Sequence, residues 1–229
     1  MNITTQSVTY PFGKETRPAF LAQPEGPGPF PGVIVIHEVF GLNDNIKDIT
    51  QRFARQGYAA LAVDMFSGRS QVVCLFRFMA ANLRGLATHA GIDELKAALT
   101  FFGQQPGVDP QRLGAIGFCM GGGFAITWAF SDPRLHVIAP FYGTTPKNLE
   151  EAAARSCPIV GSFPEKDFTA EPAHALKAAL DKQGIPNDIK FYPDTRHSFF
   201  NDQSPRTYNA EAADDAWQRT LAFFEKYLI

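Results

Sequence analysis

The sequence predicts an α/β fold, with a doubly wound, mostly parallel sheet and helices on both faces. Two observations predict it. Short apolar runs such as VIVI and LGAIGF alternate with longer segments of helical periodicity, and continuous apolar runs are typical of strands buried on both faces of a parallel sheet. Strands that alternate with helices along one chain indicate βαβ units.

The predicted elements follow in chain order. After a turn-forming segment, PEGPGPFPG, strands are predicted at residues 32–37, 58–64, 113–118, 137–142, 158–163 and 188–192. Helices with one apolar face are predicted at residues 45–56, 91–102, 120–130, 170–183 and 208–227. Residues 5–23 are expected to add one or two antiparallel edge strands. Because no linker or repeat interrupts this order, residues 1–229 are predicted to form a single α/β domain.

Composition excludes several classes of function. The formal net charge is −2, and charged residues make up 19% of the chain, so no basic surface for nucleic acid or membrane is expected. The N-terminus lacks the pattern of a signal peptide, and no stretch is long enough for a transmembrane helix. Three widely spaced cysteines, Cys74, Cys119 and Cys157, favour a reducing compartment over a disulfide framework. We therefore expect a cytoplasmic protein that binds neither nucleic acid nor membrane.

The sharpest motif is Gly117-Phe118-Cys119-Met120-Gly121, between the predicted strand RLGAIGF and the predicted helix GGGFAITWAF. It has the spacing of a nucleophile elbow, the strand-to-helix turn of the α/β-hydrolase type of fold, with cysteine where serine usually stands. The turn places the thiol at a helix N-terminus, whose free N–H groups favour a thiolate and can hold an oxyanion. The structural alternative is a small residue that packs a strand against a helix.

Two further polar residues follow in the order nucleophile, acid, histidine that α/β-hydrolases use. Asp167 lies 48 residues after Cys119, beyond the strand CPIVGSF, and His197 lies 30 residues later, beyond the strand IKFY. Because catalytic residues gather at the carboxyl ends of parallel strands, we expect these three to form a catalytic triad. The histidine would move the thiol proton, and the aspartate would fix the histidine tautomer.

Glu38 ends the first predicted core strand, in VIVIHEVFGLN, and is a fourth candidate catalytic residue. A carboxylate beside a thiol either helps to deprotonate it or suppresses the thiolate by repulsion; a capping or loop role is the structural alternative. This strand end usually supplies an oxyanion-hole amide, so the backbone N–H groups of Val39 and Met120 are the predicted donors. His37 is predicted to be structural, since alternation along the strand points it to the opposite face.

No metal or cofactor site is predicted. His89, His136 and His174 have no metal-ligand spacing. The three glycines after Met120 lack the lysine and the spacing of a phosphate-binding loop. Cys74 and Cys157 are predicted to be small core residues.

HEVFGLN, GFCMGG, the EKD segment and RHSFFND together resemble the dienelactone hydrolase (carboxymethylenebutenolidase) family. The resemblance implies a triad of Cys119, Asp167 and His197, an oxyanion hole at Val39 and Met120, and a part for Glu38 in activating the thiol when substrate binds. It also implies that no cofactor is needed and that the protein is a monomer. The predicted substrate-binding residues are the two that resemble the family's pocket wall, Phe40 and Tyr142, and a loop-flanking ring, Phe199.

The sequence departs from the family where a substrate carboxylate would bind. The best-known members carry an arginine four residues after the histidine, and here that position is Asn201. A second arginine comes from the segment before residue 91, where Arg69, Arg77 and Arg84 are all candidates, and Arg77 and Arg84 are included among the substrate-binding residues. We therefore predict a hydrolase of small esters or lactones that uses a thioester intermediate, without assigning dienelactone as substrate. A broader carboxylesterase on the same fold and a non-catalytic thiol sensor or binding protein are the alternatives.

Overall fold

The structure is a computed structural model that describes residues 1–67 and 90–229. Within these residues eight strands form one sheet in the order β1-β2-β4-β3-β5-β6-β7-β8. Strands β3 to β8 run parallel, whereas β1 and β2 form an antiparallel hairpin whose second strand is also antiparallel to β4. The strands are β1 (Ile3–Phe12), β2 (Glu15–Pro24), β3 (Phe30–Ile36), β4 (Ala59–Val63), β5 (Val108–Phe118), β6 (Leu135–Phe141), β7 (Ile159–Pro164) and β8 (Asn187–Tyr192).

Helices cover both faces of this sheet, so the predicted α/β fold is confirmed. The helices of the described residues are α1 (Asp44–Arg55), α2 (Ala90–Gly103), α3 (Met120–Ala129), α4 (Leu149–Ala153), α5 (Ala170–Lys182) and α6 (Ala210–Leu228). Side chains of α1 and α6 share one apolar layer, and those of α2, α3 and α5 share the other. In residues 1–67 and 90–229, no helix is long and apolar enough to span a lipid bilayer.

The structure explains why the sequence of strand β3 is continuously apolar. Ile34 and Ile36 point into the layer of α2, α3 and α5, whereas Val33 and Val35 point into the layer of α1 and α6. All four side chains are fully buried, because both faces of a parallel sheet are covered by helices. The predicted helices agree with the observed ones to within two residues. The short α4 was not predicted, since five residues are too few to show a helical period.

The first turn of α3 packs directly on the end of β3, and Gly121 permits this contact. A Cβ atom at Gly121 would lie 2.3 Å from the carbonyl oxygen of Ile36. We expect Gly121→Ala to reduce the free energy of unfolding by about 3 kcal/mol, because the two backbones must move apart.

Gly184 provides the matched control for this prediction. It has a positive φ of 68°, but a Cβ atom added there would have no other atom within 4 Å, so alanine at this position should cost only about 1–2 kcal/mol. Urea unfolding of the two variants measures the difference. Equal losses would contradict the close approach of α3 and β3.

Candidate active site

Cys119 lies in the turn between β5 and α3, at the carboxyl edge of the sheet. Its backbone has φ 53° and ψ −114°, a conformation that L-residues rarely adopt. The Cys119 N–H donates to the carbonyl oxygen of Phe141 at 3.0 Å, and the Cys119 carbonyl accepts from the Gly123 N–H at 3.2 Å. Gly117 is required nearby, because a Cβ there would lie 2.1 Å from the carbonyl oxygen of Gly121. The turn therefore has the geometry expected of a nucleophile elbow.

The negative charges of two carboxylates, Glu38 and Asp167, and two backbone amides act on the thiol of Cys119. Burial raises the pKa of the Cys119 thiol to about 11, and the negative charge of Glu38 is the second cause. The N–H groups of Met120 and Val39 act in the opposite direction, because they hydrogen-bond to the sulfur and stabilise the thiolate. The resting thiol is therefore protonated at neutral pH.

His197 and Asp167 form a hydrogen-bonded pair beside this thiol. The Nδ1 of His197 lies 2.8 Å from Oδ2 of Asp167, and the hydroxyl of Thr169 donates to the same oxygen at 2.7 Å. The imidazole is enclosed by two aromatic rings. The centroid of the Tyr142 ring lies 5.0 Å away, and the Phe168 ring stacks on it at 5.0 Å and 21°.

The structure places all three predicted triad residues at one edge of the sheet, but it does not join them in an unbroken chain of hydrogen bonds. Among the described residues, no hydrogen bond links the Cys119 sulfur to the His197 imidazole. The sulfur is directed to the amides of Val39 and Met120 instead. The thiol and the imidazole must therefore reorient before a proton can pass between them, as is common in sites without a bound substrate.

Glu38 is 3% exposed, and neutral side chains hold its carboxylate. Oγ of Ser198 donates to Oε1 at 2.8 Å, and Nδ2 of Asn201 donates to Oε2 at 3.0 Å. The hydroxyl of Tyr142 also hydrogen-bonds to this carboxylate; burial and then the charge of Glu38 raise the pKa of Tyr142 well above its ordinary value. Asn201 therefore binds the carboxylate of Glu38. Sequence spacing alone could not have revealed this contact.

Backbone strain is concentrated around this carboxylate and thiol. Cys119, Tyr142 and Ser198 have φ values of 53°, 39° and 66°. Each such residue costs on the order of 1–3 kcal/mol, and strain of this kind is kept mainly at functional sites. In the part of the chain that the structure describes, no three His, Cys, Asp or Glu side chains are grouped to hold a metal ion.

The predicted substrate-binding residues have different outcomes. Phe40 is 64% exposed beside Val39, so its ring is available to a ligand. Phe199 and Tyr142 are corrections, because both are fully buried. Phe199 packs against Phe141, Tyr142 and Tyr192, since the chain turns inward after Ser198. Tyr142 packs beneath the His197 ring and hydrogen-bonds to Glu38. Five residues named in the sequence predictions lie outside the described residues: Arg69, Cys74, Arg77, Arg84 and His89.

Phe168 is an aromatic residue at the site that the sequence interpretation missed. It follows Asp167 directly, and its ring is 68% exposed while it stacks on His197. An apolar side chain next to Asp167 was visible in the sequence. Whether it pointed into the core or out over the histidine depended on the loop conformation.

The geometry of Glu38 gives a prediction about thiol reactivity. We expect Glu38→Gln to increase the rate of Cys119 alkylation by iodoacetamide several-fold at about pH 8. Loss of the negative charge lowers the thiol pKa from about 11, so more thiolate is present at a given pH. Peptide mapping by mass spectrometry follows Cys119 separately from the other cysteines. Asp44→Asn, at an exposed carboxylate, is the control; slower alkylation in Glu38→Gln would show that Glu38 supports the resting thiolate.

Comparison with known proteins shows similarity along nearly the whole chain. The dienelactone hydrolase family matches residues 18–228. A protein from Synechocystis named putative carboxymethylenebutenolidase is 33% identical over 245 residues, which cover 100% of this chain and 99% of its own. A protein of the same name from Saccharolobus solfataricus is 32% identical over 91% of this chain and 93% of its own. The crystal structure of a putative dienelactone hydrolase from Klebsiella pneumoniae has a TM-score of 0.87 at 26% identity and covers 99% of this chain and 100% of its own.

Proposed function

Because this chain belongs to the dienelactone hydrolase family, we propose that it hydrolyses small esters or lactones with Cys119 as the nucleophile. One observation carries the proposal. A thiol on a strained strand-to-helix turn lies at the same sheet edge as a histidine–carboxylate pair, and two backbone amides point at its sulfur. This arrangement provides a nucleophile, a proton carrier and an oxyanion hole.

Activation of the thiol begins when the substrate enters. The carbonyl oxygen of the substrate binds the N–H groups of Val39 and Met120, which the sulfur contacts in the resting state. The sulfur turns about its Cα–Cβ bond, leaves these amides and gives its proton to His197. Glu38 takes part by disfavouring the thiolate until the substrate has displaced the sulfur, which protects the free thiol from side reactions.

Acyl transfer then proceeds in two steps. The thiolate attacks the carbonyl carbon, and the oxyanion is held by the two amides. The imidazolium of His197, held by Asp167, donates its proton to the leaving oxygen as the carbon–oxygen bond breaks, which leaves a thioester on Cys119. Water, deprotonated by His197, attacks the thioester, and the sulfur leaves and is protonated again.

Esters and enol lactones suit this mechanism better than amides. A thiolate leaves the tetrahedral intermediate more readily than an amine, so attack on an amide reverts to reactants. Incubation with p-nitrophenyl acetate tests the proposal, because mass spectrometry should find an acetyl group on the Cys119 peptide before steady state. Faster turnover of simple peptides than of aryl esters would refute this choice of substrates.

The exposed rings of Phe40 and Phe168 are proposed to form an apolar rim around the nucleophile. We expect Phe168→Ala to raise KM for aryl esters by about 5- to 10-fold, because about 1 kcal/mol of apolar contact is lost. Phe168→Leu, which keeps an apolar side chain, should recover part of the loss. A defect confined to kcat would show that Phe168 supports the imidazole and does not contact the substrate.

A broader carboxylesterase activity is a second candidate, and the position of Asn201 favours it. Asn201 donates to Glu38, so this position supplies no cation to a substrate carboxylate. A panel of matched neutral and anionic lactones separates the two activities. A carboxylesterase should show no preference for the anionic members, whereas a strong preference would indicate a cation elsewhere at the site.

A further inference from the structure

We propose that His37 is a positioning residue of this site: it orients the peptide unit between Glu38 and Val39, whose N–H is one of the two oxyanion donors. The inference rests on the proposed function, because the donor matters only if an oxyanion forms. His37 itself contacts neither the thiol nor the substrate in this assignment.

The His37 ring is fully buried and is fixed by contacts on two sides and one face. Its Nδ1 lies 2.5 Å from the carbonyl oxygen of Glu38. Its Nε2 lies 3.0 Å from the backbone nitrogen of Met65. The ring of Phe66 packs against it with centroids 4.8 Å apart. Both ring nitrogens therefore bind backbone groups at the carboxyl ends of adjacent strands, β3 and β4.

These contacts determine the tautomer of His37. A backbone N–H can only donate, so Nε2 must present its lone pair to Met65. The proton then lies on Nδ1, which donates to the carbonyl oxygen of Glu38. Burial lowers the pKa of His37, in agreement with a neutral ring that uses one nitrogen as donor and the other as acceptor.

The bond to Glu38 controls the direction of the Val39 amide. In a trans peptide unit the C=O and the following N–H point in opposite directions, so a fixed carbonyl oxygen fixes the N–H as well. The Glu38 oxygen accepts from His37 and also from the Gly41 N–H at 3.3 Å. The Val39 N–H is thereby held toward the Cys119 sulfur, and hydrogen bonds on the carbonyl strengthen the same amide as a donor.

The same strand end also sets the distance to the other donor. A Cβ atom at Gly121 would lie 2.3 Å from the Ile36 oxygen and 2.7 Å from the His37 oxygen. The turn that carries the Met120 amide is therefore packed on the backbone of Ile36 and His37, directly before the peptide unit that the His37 ring orients. Because both donors must meet one oxygen atom, a small tilt of the Glu38–Val39 unit weakens transition-state binding.

Two substitutions separate the two hydrogen bonds of His37. The side-chain amide of His37→Asn places a donor near the position of Nδ1, so it keeps the bond to Glu38 and loses the one to Met65. The longer amide of His37→Gln reaches the position of Nε2, so it accepts from Met65 and loses the bond to Glu38. Each variant loses one hydrogen bond to a buried backbone group, and the two are therefore matched in their general cost to stability.

We expect His37→Gln to lower kcat on p-nitrophenyl acetate by about 10- to 100-fold with KM nearly unchanged. His37→Asn should stay within about threefold of the wild-type kcat. An aldehyde inhibitor, whose hemithioacetal with Cys119 places an oxygen in the same hole, should bind to the Gln variant more weakly by a similar factor. Thermal unfolding of both variants shows whether stability accounts for the difference.

Equal loss of kcat in the two variants, or losses that follow the unfolding midpoints, would overturn the role of His37. A measurement that needs no activity is the ¹⁵N NMR spectrum of His37, which should show the proton on Nδ1; a proton on Nε2 would also overturn it. Failure of the proposed function is distinguishable, because Cys119→Ala would then remain active whatever the His37 variants do.

Discussion

Cys119→Ala is expected to lower kcat on p-nitrophenyl acetate by at least about 10⁴-fold. The alanine methyl group cannot attack a carbonyl carbon, and the rest of the site offers only the oxyanion hole and substrate binding. The change removes one sulfur atom and keeps the Cβ atom, so the backbone at φ 53° is under the same steric restriction as in the wild type. We therefore expect the folded structure to be retained. Steady-state kinetics and circular dichroism on the same sample measure the two properties.

Cys157→Ala is the matched control for this experiment. Burial raises the pKa of the Cys157 thiol to about 12, and the residue precedes the amino end of β7, whereas Cys119 follows the carboxyl end of β5. Its removal should leave kcat within about twofold of wild type. If Cys119→Ala kept substantial activity while Cys157→Ala lost it, the nucleophile assignment would be wrong.

His197→Gln is expected to lower kcat by about 10³- to 10⁴-fold. The glutamine amide can accept and donate hydrogen bonds, but it cannot carry a proton between the thiol, the leaving group and water. The effect should be large because burial raises the thiol pKa to about 11, so little thiolate forms at neutral pH without a base. Activity that remains in the variant should rise steadily with pH toward about 11, as the thiolate forms by simple ionisation.

Two further variants make this result specific. His174→Gln alters an exposed histidine that is paired with Glu165 at 3.6 Å, and it should leave kcat unchanged. Asp167→Asn keeps the shape of the carboxylate but not its charge, so it should lower kcat by about 10²-fold or more through loss of the favoured tautomer. A pH profile of His197→Gln that remains bell-shaped would show that another group moves the proton.

Local sequence was sufficient to predict the strand-to-helix turn that carries Cys119. Positions 117 and 121 require glycine because a Cβ atom there would clash with backbone within a few residues of Cys119 or on the adjacent strand. The spacing of the two glycines in the motif therefore predicts the turn. The positions of Cys119, Asp167 and His197 after three predicted strands indicated that the three residues lie close together, because the carboxyl ends of parallel strands meet at one edge of a sheet. The alternation of apolar and periodic segments likewise predicted most strands and helices. A parallel sheet covered by helices on both faces needs strands that are apolar on both sides and helices with one apolar face.

The environment of Glu38 could not be predicted in this way. Its partners Ser198 and Asn201 lie 160 and 163 residues away in the chain, and no local pattern encodes such a contact. Phe199 was expected at the pocket and is in the core, whereas the neighbouring sequence could not show that Phe168 points outward over His197. Side-chain direction in a loop is set by the elements against which the loop packs.

By itself, then, the sequence determined the α/β fold, the strained turn and the chain order of the thiol, the acid and the histidine, because these follow from short-range sterics and hydrophobic periodicity. Only the tertiary structure decided the protonation of the thiol, which depends on burial and on the charge of Glu38. It also decided which amides face the sulfur and that His37 binds the Glu38–Val39 unit. These properties arise where distant segments exclude water and bring charges together, and electrostatic interactions of that kind depend on the folded arrangement.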